Sequence, residues 1–352
     1  MIYAEIEWLY INYKYLCMGL KENILNLHKE QEDMKMSYGY IAELNENVIR
    51  THVRYNNRYG TAIAADLYMA KDVDANAKLP ALIVGAPYGG VKEQGPCVYA
   101  NELAQRGFIV LTFDQVHMGE SGGEPRRVSS PDLFAESFSA AVDYLGTKVK
   151  NADREKIGVI GICGSGGFAL SAAAVDVRIK AVATASMYDI SNVREMASLN
   201  KEQLEGMKKA LALQRWKDAE NGEMEYKPSF PETPYADDEL PETDPRTNEW
   251  NRFYAVKRGH HPNARGGFTT TSALSMLQFK CLDYIDEISP RPVLLIAGDR
   301  AHSLSYSERA YRLAAQPKEL YIVNDAEHID LYDRTDRIPF DKLETFFKES
   351  LA

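Results

Sequence analysis

Apolar residues recur along the chain in short, nearly uninterrupted runs separated by polar, glycine-containing segments. LPALIVGA from Leu79, FIVLTF from Phe108, KIGVIGI from Lys156, KAVATAS from Lys180, RPVLLIAG from Arg291 and KELYIVN from Lys318 each have the length and branched-residue content of a strand covered on both faces. NVIRTHVRYNN and TAIAADLYMA, on either side of Tyr59 and Gly60, alternate instead and predict a hairpin. Helical patterns lie between the runs: VYANELAQRG near Val98, SPDLFAESFSAAVDYLGTKV from Ser130, GFALSAAAV from Gly167 and PFDKLETFFKESL near the C-terminus. Strand, helix and strand in this order predict a mostly parallel, doubly wound α/β sheet with helices on both faces. Reactive groups then belong beyond the carboxyl ends of the strands.

Two regions break this rhythm. Residues 189–288 hold no comparable buried strand, but Leu204, Met207 and Leu211 share one helical face, and KPSFPETPYADDELPETDP follows. A hundred residues between two core strands cannot be a structureless loop in a compact domain. They are expected to form a helical cap over the strand ends, with the proline-rich part on the surface; a separate interaction module is the alternative. The other region, residues 1–44, reads as an N-terminal extension. MIYAEIEWLYINYKYLCMGL is interrupted by Glu5, Glu7 and Lys14, too broken for a membrane span and without the basic start of a secretory signal. Met34 and Met36 offer alternative starts, and an amphipathic helix packed on the body is the competing expectation. The core is then expected over 45–188 and 289–352.

Composition narrows the class. Of 352 residues 45% are apolar and 26% charged, as in soluble globular proteins, and the net charge of -10 argues against a nucleic acid partner. Cys17, Cys97, Cys163 and Cys281 lie far apart with no CxxC spacing, so neither a zinc site nor a disulfide framework is indicated, and a cytoplasmic location is expected. No metal, cofactor or membrane partner is expected. A homo-oligomer is compatible with everything read here.

The chemistry concentrates in GVIGICGSGG. A nucleophile on a sharp strand-to-helix turn needs small residues on both sides, because otherwise strand and helix cannot approach closely. With Cys163 at the apex, Gly161 precedes it and Ser165 and Gly166 follow; with Ser165 at the apex, Cys163 stands where a smaller residue fits better. Cys163 is favoured, with Ser165 as the alternative nucleophile. A thiolate is the stronger nucleophile, and the amino end of the following helix favours it. Two other readings stay open: an inert buried cysteine, and a loop of Gly161, Gly164 and Gly166 cradling a dinucleotide with Asp189 on its ribose.

A base is expected on the loop after the last strand, where AEHIDLYD supplies His328. The other histidines, including His302 after the Arg291 run, read as ordinary surface residues. Asp299, ending RPVLLIAGD, is the expected orienting acid; Asp189 is the alternative acid, and Glu308 a further one. The position three residues past the strand-ending glycine, where such an acid commonly stands, is Ala301. The oxyanion hole is expected from the backbone N–H groups of Gly164 and of Tyr88 in APYGGVKEQG.

APYGGVKEQ, GESGGEPR, GICGSGG, AHSLSYSE and AEHIDLYD together resemble the α/β-hydrolase superfamily. More narrowly, the chain is similar over residues 45–352 to bacterial hydrolases grouped with a fungal polyketide transferase and, further off, to dienelactone hydrolases. The resemblance implies the α/β-hydrolase fold and acyl transfer or hydrolysis without an added cofactor, and a cysteine at the elbow; Ser165 departs from the glycine common at its place. The expected function is cleavage or transfer of an acyl group from a small ester or thioester substrate through an acyl-enzyme at a Cys163, His328, Asp299 triad. Peptidase-like or lactone-opening activity, and a non-catalytic small-molecule binder, are the alternatives.

Overall fold

The computed structural model describes residues 39–193 and 198–352, so the expected extension lies outside the described residues up to residue 38. Eight strands form one sheet: β1 (Val48–Asn56), β2 (Ala62–Ala70), β3 (Leu79–Gly85), β4 (Ile109–Phe113), β5 (Ala152–Ile162), β6 (Ile179–Ala185), β7 (Val293–Gly298) and β8 (Lys318–Val323). Their order is β1-β2-β4-β3-β5-β6-β7-β8. β1 and β2 form the antiparallel hairpin, β2 meets β4 antiparallel, and every later neighbour is parallel. This is the open, mostly parallel sheet of an α/β-hydrolase.

The helices are α1 (Gly95–Gln105), α2 (Pro131–Lys148), α3 (Gly164–Val175), α4 (Lys201–Asn221), α5 (Pro245–Tyr254), α6 (Ser272–Gln278), α7 (Leu304–Leu313), α8 (Asp330–Asp333) and α9 (Phe340–Ser350). Phe134 of α2 meets Phe168 of α3 edge-on, and Tyr99 of α1 meets Phe340 of α9. Along β5, Gly158 opens toward Phe347 of α9, whereas Gly161 opens toward the first turn of α3. Side chains three apart on a strand point to opposite faces, so the two helix pairs cover opposite sides of the sheet.

β3 to β7 are buried over most or all of their length, as their apolar runs predict. β8 is the exception. It is one edge of the sheet, where no strand among the described residues pairs with its outer side, and Tyr321 and Ile322 are exposed there. Between β6 and β7 the insertion carries α4, α5 and α6. The expected stripe of Leu204, Met207 and Leu211 is the less exposed face of α4, and Gln214 and Asp218 continue it. The proline-rich stretch does more than lie on the surface at its start: Tyr226 pairs with Thr269 and Ser229 with Gly266.

Candidate active site

β5 ends at Ile162 and α3 begins at Gly164, which leaves Cys163 alone on the turn with φ 53° and ψ -122°. Few residues with a side chain adopt that backbone, so the surroundings must impose it. They do: the Cys163 N–H donates to Ala185, and its carbonyl accepts from Gly166 and Tyr188 at 2.9 Å each. A Cβ on Gly161 would fall 2.3 Å from the Ser165 carbonyl oxygen, and one on Gly164 would fall 2.7 Å from the Cβ of Tyr88. Only glycine lets β5, α3 and the loop after β3 close this tightly. Ser165 lies inside the first turn of α3, and its hydroxyl donates to the Ala86 carbonyl. The same glycines serve close packing, and Asp189 is bonded to Ser191 and Arg309.

The Cys163 sulfur has three hydrogen-bond partners: the Tyr332 hydroxyl and the backbone N–H groups of Tyr88 and Gly164. Burial pushes the thiol pKa up, those hydrogen bonds pull it down, and burial wins. The Tyr332 hydroxyl lies 2.9 Å from Nε2 of His328, whose Nδ1 lies 2.6 Å from Ser303 Oγ. Tyr254 of the insertion bonds to the same Tyr332 hydroxyl. Tyr332, His328 and Ser303 are all buried. Burial, then the neighbouring His302, holds His328 well below the usual histidine range, and burial raises Tyr332. The resting chain Cys163–Tyr332–His328–Ser303 is therefore neutral throughout.

None of the three sequence-predicted acids meets His328. Asp299 is exposed at the end of β7, where its N–H donates to Val323, and Glu308 is exposed on α7. Asp189 is buried but spent on Ser191, whose hydroxyl also accepts the Cys281 N–H. A hydroxyl takes the place at Nδ1 where a carboxylate was expected, because Ser303 follows β7 two residues past Ala301. A carboxylate does reach the neighbourhood from the insertion. Glu249 of α5 accepts from Ile329 N–H at 2.7 Å and pairs with Nδ1 of His302 at 2.8 Å. His302 is thus no ordinary surface residue: its ring lies 4.7 Å from that of His328, beside Tyr188 and Trp250.

Tyr332 and Ser303 had signals in the sequence. Tyr332 stands four residues after His328 in AEHIDLYD, a spacing that puts both on one side of a helical turn. Ser303 and His302 occupy AHS directly after a core strand. Glu249 had no such signal.

Among the described residues one trio of carboxylates, Glu93, Asp114 and Glu120, is close enough to hold a cation. Lys92 already serves there. Its ammonium bonds Glu93, Asp114 at 3.3 Å and Glu120 at 3.0 Å, while Glu93 Oε2 is buried with no hydrogen-bond partner among the described residues. Among the described residues no helix is long and apolar enough to cross a membrane.

The X-Pro dipeptidyl-peptidase (S15 family) model matches residues 59–265. The uncharacterized protein PA2218 of Pseudomonas aeruginosa is 47% identical over 314 residues, covering 88% of this chain and 82% of its own. The crystal structure of that protein superposes with a TM-score of 0.83 over 88% of this chain and 96% of the other. The α/β hydrolase GrgF from Penicillium sp. sh18 shares the fold at 19% identity and TM-score 0.68, over 86% of this chain and 99% of that one. A shorter likeness, 31% over 138 residues, joins 39% of this chain to 42% of the thiohydrolase aneE of Aspergillus aculeatus.

Proposed function

The chain belongs to the X-Pro dipeptidyl-peptidase (S15) family of α/β-hydrolases, and from that premise we propose that it hydrolyses or transfers the acyl group of an ester or thioester through an intermediate on Cys163. The observation that carries the reading is the sulfur itself, which two backbone N–H groups and a tyrosine hydroxyl address while that hydroxyl also reaches an imidazole. The likeness to a thiohydrolase supports an acyl thioester as substrate.

The chemistry follows the hydrogen bonds. As Sγ bonds to the substrate carbonyl carbon, its proton passes to the Tyr332 oxygen and the Tyr332 proton passes to Nε2 of His328. Nδ1–H of the resulting imidazolium donates to Ser303. The carbonyl oxygen takes up negative charge and accepts from the N–H groups of Gly164 and Tyr88. Collapse breaks the bond to the leaving oxygen or sulfur, which recovers the proton by the same route. An acyl thioester on Cys163 remains for water or another acceptor. The insertion, which reaches the Tyr332 hydroxyl through Tyr254 and the loop of His328 through Glu249, acts as a cap in this scheme.

Intact-mass measurement after mixing with short-chain thioesters, esters, lactones and peptide amides tests the proposal. An adduct of acyl mass is expected with the thioester and ester, absent in Cys163→Ala and retained in Ser165→Ala, with turnover falling by about 10³-fold or more in the former. Adduct on Ser165 moves the nucleophile; turnover of amides alone makes the protein a peptidase; no adduct and no turnover with any of them overturns the reading.

A further inference from the structure

His328 has no nitrogen left for a second reactant. Nδ1 is engaged by Ser303 and Nε2 by Tyr332, and the ring is fully buried. Its proton traffic runs through Tyr332 to the Cys163 sulfur, the atom that carries the acyl group once the first half-reaction is over. An incoming acceptor must still lose a proton to attack that acyl group.

His302 is built for that task. Its Nδ1 pairs with Glu249 Oε2 at 2.8 Å, and the other Glu249 oxygen takes the Ile329 N–H at 2.7 Å, so both carboxylate oxygens are fixed. A carboxylate partner sets the proton on Nδ1 and leaves the Nε2 lone pair as the reactive face. Nε2 is buried and has no hydrogen-bond partner among the described residues. The groups around the ring are Glu249 and Trp250 from α5, Tyr188 after β6 and His328 after β8. The hydroxyl of Tyr188 is likewise buried and unpartnered among the described residues, and the Tyr188 N–H donates to the carbonyl of Cys163 itself. Leaving buried polar atoms unpaired is unfavourable, and two of them on adjoining rings beside the nucleophile mark a place for a small polar molecule.

We propose that His302, oriented by Glu249, is the base of the second half-reaction, taking the proton from the water, alcohol or amine that attacks the Cys163 acyl thioester. The acceptor O–H or N–H bond breaks as its heteroatom bonds to the acyl carbon, and Nε2 takes the proton. The C–S bond then breaks, its electron pair stays on sulfur, and the imidazolium returns the proton to restore the thiol. Glu249 is a positioning residue, which holds the ring through Nδ1. The inference rests on the acyl-enzyme reading above.

His302→Gln tests it, with a chromogenic short-chain ester in stopped flow and intact mass in parallel. The expected result is an initial release of one equivalent of chromophore at the parent rate, a steady state slowed by about 10²-fold, and a persistent acyl adduct on Cys163. Hydroxylamine, a nucleophile that needs no base, should restore turnover. The acidic limb of kcat against pH should disappear while that of kcat/KM stays, and Glu249→Gln should show the same pattern more weakly. If His302→Gln is poorly folded by circular dichroism, Glu249→Gln carries the test. Equal slowing of both phases, or unchanged adduct decay, overturns the role of His302 while leaving Cys163 in place. Parent turnover that survives Cys163→Ala overturns the acyl-enzyme reading and this inference with it.

Discussion

Two buried polar clusters lie beyond the same strand ends and are built in opposite ways. Around Lys92, after β3, one ammonium meets three carboxylates, and Asp114 also accepts the N–H groups of Lys92 and Glu120, so the cluster is ionic and tied directly to the backbone. Burial alone would lower the Lys92 pKa, but Asp114, Glu93 and the other carboxylates outweigh it and hold the charge in place. Around Cys163 every group is neutral at rest and burial dominates each pKa. An ionic cluster bonded to backbone N–H groups fixes a loop, whereas a neutral chain of weak acids and bases can pass a proton along. The first holds the loop that brings Tyr88 to the sulfur; the second is the one to which the proposed function assigns the chemistry.

The sharpest way to break this contrast is Lys92→Met, which leaves three carboxylates facing one another in a dry site. Denaturant unfolding should record a loss of about 3–5 kcal/mol. Little change would mean that the cluster is not held by its charges.

Next in size, Tyr332→Phe keeps the ring that packs on Phe253 but removes the hydroxyl between Sγ and Nε2. Its kcat/KM for a short-chain ester should fall by about 10²–10³-fold, with the fold retained by circular dichroism. Near-parental activity would show that His328 reaches the sulfur without the relay.

A smaller effect ties the Lys92 cluster to the insertion. Burial first, and then Lys92, hold His261 down to about 4, against the opposing pull of Asp114. The folded protein therefore binds fewer protons than the unfolded chain between about pH 6.5 and that value. The stability associated with a neutral His261 is fully present above about pH 6.5 and is lost as pH falls toward 4, by up to about 3 kcal/mol. Calorimetric melting curves should become flatter over this window in His261→Gln; an identical pH dependence would remove His261 from the account.

The smallest effect belongs to the acid expected from sequence. Asp299→Asn should change kcat/KM by less than about twofold, since the carboxylate is exposed and His328 is held by Ser303. A loss of 10²-fold or more would return Asp299 to the triad.

How far the sequence could be read depended on how local each feature is. The strand runs, the strand-to-helix turn at Cys163 and the loop bearing His328 are patterns of neighbouring residues, so spacing alone located them. Asp299 failed as His328's partner for a physical reason: it was placed by analogy of chain position, while the actual Nδ1 contact is set by how the loop after β7 folds back beneath the imidazole. Tyr332 was legible as an i+4 neighbour of His328 but lacked any hint that a hydroxyl would stand between base and thiol.

By itself, then, the order of residues determined the sheet, its helices, the glycine-framed turn at Cys163 and the loop that carries His328. The tertiary structure decided that Tyr332 bridges them, that Ser303 rather than a carboxylate holds His328, and that Glu249 arrives from the insertion to orient His302. Secondary structure follows from periodic burial within a dozen residues. Hydrogen bonds from one side chain to groups 53 or 80 positions away, as from His302 and the Ile329 N–H to Glu249, exist only once the whole chain has closed.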